Sequence, residues 1–243
     1  MIKVQGDYFY MGSPVSEMGR FKDEIEHKVT LTKAYWLGET EVTQGQWKAV
    51  MGNNPSHFQK GDDYPVESVS WGAAMAFCKK MNETFLLPQG YTFSLPTEAQ
   101  WEFACRASTD PISSKTALNN GRNLTSEKGY CYNLNEVGWY FENSSKSTHP
   151  VKGKKANAWG FYDMHGNVQE WCSDWYDSSY GCNNKDVTDP EGPSYGPSRV
   201  TRGGSWKHAP MCCRSASRSI FNFSLDKDDH SCFGFRLAIV PVQ

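Results

Sequence analysis

Helix signals occupy only one part of this chain, residues 43–106, and that confinement limits the folds open to it. Thr43 with Gln46 three residues on makes a capping box, which predicts a short helix through Val50. After Ser70, the residues Ala74, Phe77, Cys78 and Met81 recur at the spacing of one buried helix face, with Val69 placed to staple its start. Thr97 and Gln100 repeat the capping box ahead of Trp101, Ala104 and Cys105 and predict a helix from Glu98 to about Arg106. The following residues, 107–158, are polar, turn-rich and aperiodic. So long a stretch inside a compact domain is an organised coil that packs on itself or carries a function. Strand patterns lie on either side. Glu26–Leu31 runs into Tyr35–Glu41 as a hairpin, and short segments bounded by Gly or Pro follow at Phe161–Met164, Glu170–Trp175, Arg199–Arg202 and Gly234–Val240. Helices set apart from short strands, around a large irregular region, define an α+β domain.

No linker-like tract interrupts the 243 residues, so residues 1–243 read as a single domain. With 25 Lys and Arg against 27 Asp and Glu, there is no cationic surplus for a phosphate backbone or an acidic membrane, and nucleic acid is excluded as a partner class. No run approaches the roughly 20 apolar residues of a membrane span, and no basic and apolar leader opens the chain. None of the eight cysteines forms a CxxC pair, which argues against a zinc cluster. Cys78 and Cys105 fall within helix patterns where a buried thiol fits, so mostly free thiols are expected.

Seven runs carry a resemblance. They are Phe9-Tyr10-Met11-Gly12-Ser13, Glu41-Val42-Thr43, Pro65-Val66-Glu67-Ser68-Val69-Ser70-Trp71, Leu95-Pro96-Thr97-Glu98-Ala99-Gln100-Trp101-Glu102, Gly160 through Trp171, Arg202-Gly203-Gly204-Ser205-Trp206 and Gly234-Phe235-Arg236. In order and along the whole chain, they resemble the signatures of the formylglycine-generating-enzyme, or sulfatase-modifying-factor, family. The resemblance implies a C-type-lectin-like fold with two main helices, short antiparallel strands, large irregular loop content and joined terminal strands.

In the family's oxidases, two cysteines flanking an Arg-Tyr-Arg run after the Gly-Gly-Ser stretch hold copper and oxidise a substrate cysteine. Aligning this chain back from Ala216 and Arg218 puts Ser215 where the second of those cysteines stands. Cys212 and Cys213 are adjacent, and successive side chains of an extended segment point to opposite faces, so they offer no convergent pair. The expectation is a chain without catalysis and without a catalytic cofactor. The alternative is an oxidase-like or protein-modifying factor with its thiol site rearranged at Cys212 and Cys213.

The C-terminal part also resembles the variable proteins of diversity-generating retroelements. There, adenine-directed mutagenesis diversifies ligand-contacting positions and excludes Lys, Met, Trp, Glu and Gln at them. Those five types make up 56 of the 243 residues. Ser215 to Arg236 should therefore hold about five at the chain-wide rate, and the segment holds only Lys227. The resemblance implies a receptor or adhesin with a variable ligand-binding segment at 207–233, displayed at the cell surface or otherwise outside the cytoplasm. Its signal or lipid anchor would lie outside these residues. The partner would be a protein or other surface ligand of variable identity, bound by a monomer. Candidate contact positions are His208, Pro210, Cys212, Ser217, Ser219, Ile220, Phe221, Phe223, Asp228, Asp229, His230, Ser231, Cys232 and Phe233, and all but Cys212 are expected to be largely solvent-accessible on one face. Rigid aromatics among short polar groups are what recognition loops use, although Phe221, Phe223 and Leu225 also alternate as a half-buried strand does.

The resemblance also implies a structural calcium site of hard oxygen donors: the Asp163 side chain, the Gly166 and Val168 carbonyls, and the Glu170 carboxylate. The residues alone allow equally that Asp163 and Glu170 only organise turns. Arg199, Arg202, Arg214, Arg218 and Arg236 read as buried or half-buried donors to loop carbonyls.

Overall fold

The structure is a computed structural model, and it describes residues 1–108, 110, 116–180, 186–220 and 230–242. Both capping boxes form. Thr43 starts α1 (Gln44–Met51) and Thr97 starts α3 (Glu98–Arg106), each with the Gln side chain returning the bond. Ser70 caps α2 (Trp71–Thr84), which buries Ala74, Phe77 and Cys78. A single further turn, α4 (Tyr132–Asn135), lies in the aperiodic region. The chain is therefore α+β as expected, with three helices of two turns or more.

The strands form four small sheets. β1 (Ile2–Val4), β4 (Tyr35–Leu37), β13 (Ala238–Pro241) and β5 (Tyr91–Ser94) lie side by side in that order, so one sheet holds the beginning and the end of the chain. A second has the order β11 (Arg218–Ile220), β10 (Arg199–Arg202), β8 (Gln169–Trp175), β12 (Phe233–Gly234). β2 (Tyr8–Met11), β3 (His27–Thr30) and β9 (Val187–Thr188) make the third, and β6 (Gly138–Trp139) pairs with β7 (His165–Gly166).

Three strand expectations are corrected. Glu26–Leu31 and Tyr35–Glu41 do not form a hairpin, because β3 pairs with β2 and β9 while β4 pairs with β1 and β13 in another sheet. Phe161–Met164 is irregular because its backbone is spent elsewhere: the Phe161 N–H donates to the Asn157 side chain, the Tyr162 N–H donates to the Glu39 carbonyl, and Asp163 is left-handed at φ 56°. Gly234–Val240 is two strands in different sheets. Between them the buried Arg236 clamps the crossing, donating to Glu170 and to the carbonyls of Gly38 and Tyr162.

Three apolar clusters form the core. One packs α3 against β2, β3 and β4 through Phe9, Val29, Tyr35, Trp101 and Phe103. Another joins α1 and α2 to the C-terminal strands through Trp47, Phe77, Phe93, Phe233 and Phe235. A third lies within the coil itself, where Leu118, Leu124, Leu134, Val137 and Tyr140 gather around Cys131 and Cys213. The aperiodic region thus does pack on itself. All seven described cysteines are free, as expected from their setting.

Candidate functional site

The C-terminal segment hangs on a buried charged frame. α3 presents Glu98 and Glu102. Arg218 grips Glu98 with two bonds of 2.7 and 2.8 Å, while Arg106 and Arg202 both reach Glu102. Arg202 also donates to the carbonyls of Ser215, Ala216 and Ser217, and Arg214 binds Glu17 at 2.6 Å and Glu24 at 2.7 Å. Burial alone raises the Glu98 carboxyl, but Arg218 and Arg202 overcome it and hold the group below the usual carboxylate range. The expectation that these arginines serve carbonyls was half of the picture. The carboxylate partners of Arg202, Arg214, Arg218 and Arg236 lie 66 to 197 residues away in sequence, where no local pattern can pair them.

Beyond this frame, the two ends of the segment are fixed by backbone. β11 pairs with β10, Ile220 opposite Val200. At the other end the Ser68 N–H donates to the His230 carbonyl, the Trp206 indole N–H to that of Ser231 (3.0 Å) and the Gln169 N–H to that of Cys232 (2.7 Å). These ends lie at opposite ends of β8, since Arg199 registers with Trp175 and Phe233 with Gln169.

This anchoring divides the candidate contact positions. Ile220 and His230 are exposed, and His208, Cys212 and Ser219 are half-buried. Phe221, Phe223, Asp228 and Asp229 lie outside the described residues. The expectation of accessibility fails at five positions. Pro210 is buried at the start of a 3₁₀ turn, Pro210–Cys213. Ser217 is buried where its carbonyl takes the Arg202 guanidinium, and Ser231, Cys232 and Phe233 are buried in the anchored exit, with Phe233 stacked on Trp171 at 5.3 Å. The described positions do not share a single face either, because His208 follows β10 past Arg202 whereas Ile220 ends β11 toward Arg199.

Sequence reasoning missed neighbours that enter this surface. Phe58 meets Trp206 edge-on at 5.3 Å, and His57 meets Phe58 at 4.7 Å, which makes an aromatic ladder beside Ser231. The coil contributes Tyr130, Tyr132 and Phe141, all exposed, and the Phe141 N–H donates to the His208 carbonyl. The surplus of large aromatics in a polar coil was the available signal.

At the family's thiol position, the Ser215 hydroxyl is buried and accepts from the Cys105 thiol at 3.6 Å, with His165 Nε2 3.9 Å from the same sulfur. Burial pushes Cys105 up to about 12 and also raises Cys212 and Cys213. None of these sulfurs is a thiolate at neutral pH.

The two side-chain donors of the expected calcium site have partners within the protein, Glu170 through both oxygens and Asp163 through one. Both oxygens of Glu170 are taken, by Arg236 at 2.6 Å each and by the Trp101 indole N–H at 2.6 Å. Asp163 accepts from the Lys152 N–H through one oxygen, and its other oxygen is buried without a partner. Glu41 accepts from the Val168 N–H and the Asn167 side chain. Glu41 is pushed well up by burial and then by Asp163 and Glu170, and burial raises Asp163 to about 6. Gly166 has a backbone role instead: at φ +89°, a Cβ there would lie 1.9 Å from the Trp139 carbonyl oxygen. Among the described residues, no group of three or more His, Cys, Asp or Glu is placed to hold a metal ion.

Comparison with known proteins agrees with this architecture. The sulfatase-modifying factor enzyme 1-like domain matches residues 1–240, and the chain belongs to that family. It is 33% identical to the chaperone protein LppX of Paenibacillus barcinonensis over 78% of this chain and 76% of that protein. It is 32% identical to the formylglycine-generating enzyme of Thermomonospora curvata over 74% of this chain, but spans only 56% of that enzyme. Among solved structures, it is similar to Treponema denticola variable protein 1, with a TM-score of 0.82 and 32% identity over 99% of this chain and 95% of that one.

Proposed function

We propose that this chain is a non-catalytic ligand-binding receptor or adhesin of the variable-protein kind, displayed outside the cytoplasm and acting as a monomer on a protein or other surface ligand. The observation that carries the reading is the near end-to-end likeness to Treponema denticola variable protein 1. The site supports it. Ser215 replaces a thiol, the nearby sulfurs are protonated, and a buried ionic frame holds the segment that leads into β11. No observation favours the rearranged thiol site, because Cys213 is fully buried and Cys212 half-buried. Contacts on this reading come from His208, Cys212, Ser219, Ile220 and His230, together with positions 221, 223, 228 and 229. Pro210, Ser217, Ser231, Cys232 and Phe233 belong to the scaffold.

Deep sequencing of the gene from a growing population tests this. Substitutions should concentrate at adenines in codons of the contact set and spare the scaffold set, and a nearby reverse transcriptase with a template repeat should be present. A uniform segment with neither would overturn the reading. Copper-dependent oxidation of cysteine peptides, abolished by Cys213→Ser, would replace it with an enzyme.

A further inference from the structure

Among the described residues, Arg199 alone of the arginines in the last quarter of the chain has no carboxylate within ion-pair distance. Arg202, Arg214, Arg218 and Arg236 each pair with buried acids. The Arg199 guanidinium lies between two indoles, its central carbon 3.9 Å from the Trp71 ring centroid and 3.6 Å from that of Trp175. Trp71 is held by its own indole N–H, which donates to the Cys172 carbonyl at 2.9 Å. Arg199 donates one bond to the Ser173 carbonyl, and its Nε–H is buried with no acceptor among the described residues. The group is thus rigid, partly stripped of water, still half exposed and short of acceptors. A charge held in that state binds an anion better than a solvated one, because its desolvation and ordering have already been met by the fold.

Position agrees with this. Arg199 opens β10, whose next residue, Val200, registers with Ile220 at the exposed end of β11. Tyr195, 83% exposed, stands close by on the segment leading into β10. Asp174, the acid nearest in charge, turns its Oδ2 to the Glu98 N–H and the Ser173 hydroxyl and does not reach the guanidinium.

We infer that Arg199, walled by Trp71 and Trp175, is a fixed carboxylate-binding subsite beside the variable surface, which takes an acidic group of the ligand whatever the neighbouring side chains are. A planar fork of N–H donors can engage both oxygens of a carboxylate at once, which a lone halide does not offer. The inference deepens the receptor reading and rests on it only for the statement that the acid belongs to the ligand.

The test uses the whole protein labelled with ¹⁵N, with acetate as the probe. Chloride is replaced by acetate at constant ionic strength, and the Arg199 Nε–H and the Trp71 and Trp175 indole N–H resonances are followed. A saturable shift of all three is expected, weakened at least severalfold in Arg199→Lys, which keeps the charge and loses the fork. Trp175→Leu removes one wall and should weaken the response likewise, should Arg199→Lys prove poorly folded. An equal response to chloride, saturation by sulfate in preference to acetate, or no shift at all overturns the subsite. Such a result leaves the receptor reading standing, since that depends on the sequenced variation and not on acetate.

Discussion

Lowering the pH should remove stability through one buried imidazole. His165 is fully buried, and two bonds fix its tautomer: Nδ1–H donates to the Cys213 carbonyl at 2.6 Å, and Nε2 accepts from the Asn119 N–H at 3.0 Å. A second proton on Nε2 would face a donor. Burial, together with Arg106, depresses this histidine from its ordinary 6.5 to about 4. A folded pKa below the unfolded one means that the unfolded chain binds the extra proton first. The native state therefore keeps its full advantage above pH 6.5 and loses it as pH falls toward 4. By linkage the loss is about 2 kcal/mol at pH 5 and about 3 kcal/mol at pH 4. Asp163 and Asp174, raised by burial to about 6 and about 7, run the other way, losing stability as pH rises from the ordinary carboxylate range through those values. A difference measurement removes them. Urea unfolding of the wild type and of His165→Asn, which retains a donor toward Cys213, should show the wild type ahead at pH 7.5 by about 1–2 kcal/mol. That lead should shrink or reverse by about 3 kcal/mol at pH 4. A lead that does not change with pH, or an imidazole titrating near 6.5 in the folded protein, refutes the reasoning.

Other perturbations act on the frame and on the expected ion site. Arg214→Met leaves Glu17 and Glu24 buried without their cation, and chemical denaturation should show a loss of about 3–5 kcal/mol; a loss below about 1 kcal/mol would mean the pair is solvated. Thr97→Ala removes one capping box, and the same assay should register about 1 kcal/mol. Thermal melts with calcium and with a chelator should coincide, because Glu170 is committed to Arg236 and Trp101; a rise in midpoint that grows with calcium concentration would restore the ion site.

Local rules and long-range pairing were unequally legible in the sequence. The capping boxes at Thr43 and Thr97 are complete within four residues, and both helices begin where those residues dictate. β1, β2, β5, β6, β9 and β11 are two to four residues long, too short for alternation to register, and exist because a neighbouring strand supplies their partners. The site was legible as a segment and illegible in its depth. Ser217 and Ser219 look alike in sequence, yet one lies 2% exposed beneath Arg202 and the other stands half-buried on β11. What separates them is a carbonyl facing a guanidinium from another strand, and no neighbouring residue announces that.

The buried ion pairs bear on how such a surface tolerates change. A buried pair contributes little net stability over an apolar replacement, but removing one partner is strongly unfavourable. Glu98 and Glu102 on α3 hold Arg202 and Arg218, and Arg202 in turn holds three consecutive carbonyls from Ser215 to Ser217. The bonds run to backbone, so they do not depend on which side chains the neighbouring positions carry. At the far end the carbonyls of residues 230–232 are held by Ser68, Trp206 and Gln169, again through groups that the segment's own side chains do not supply. A hydrophobic frame could not do this, since apolar packing reads side-chain shape and a core truncation costs about 2–5 kcal/mol. Fixing a chain by its carbonyls lets exposed side chains between the anchors change while the fold is kept.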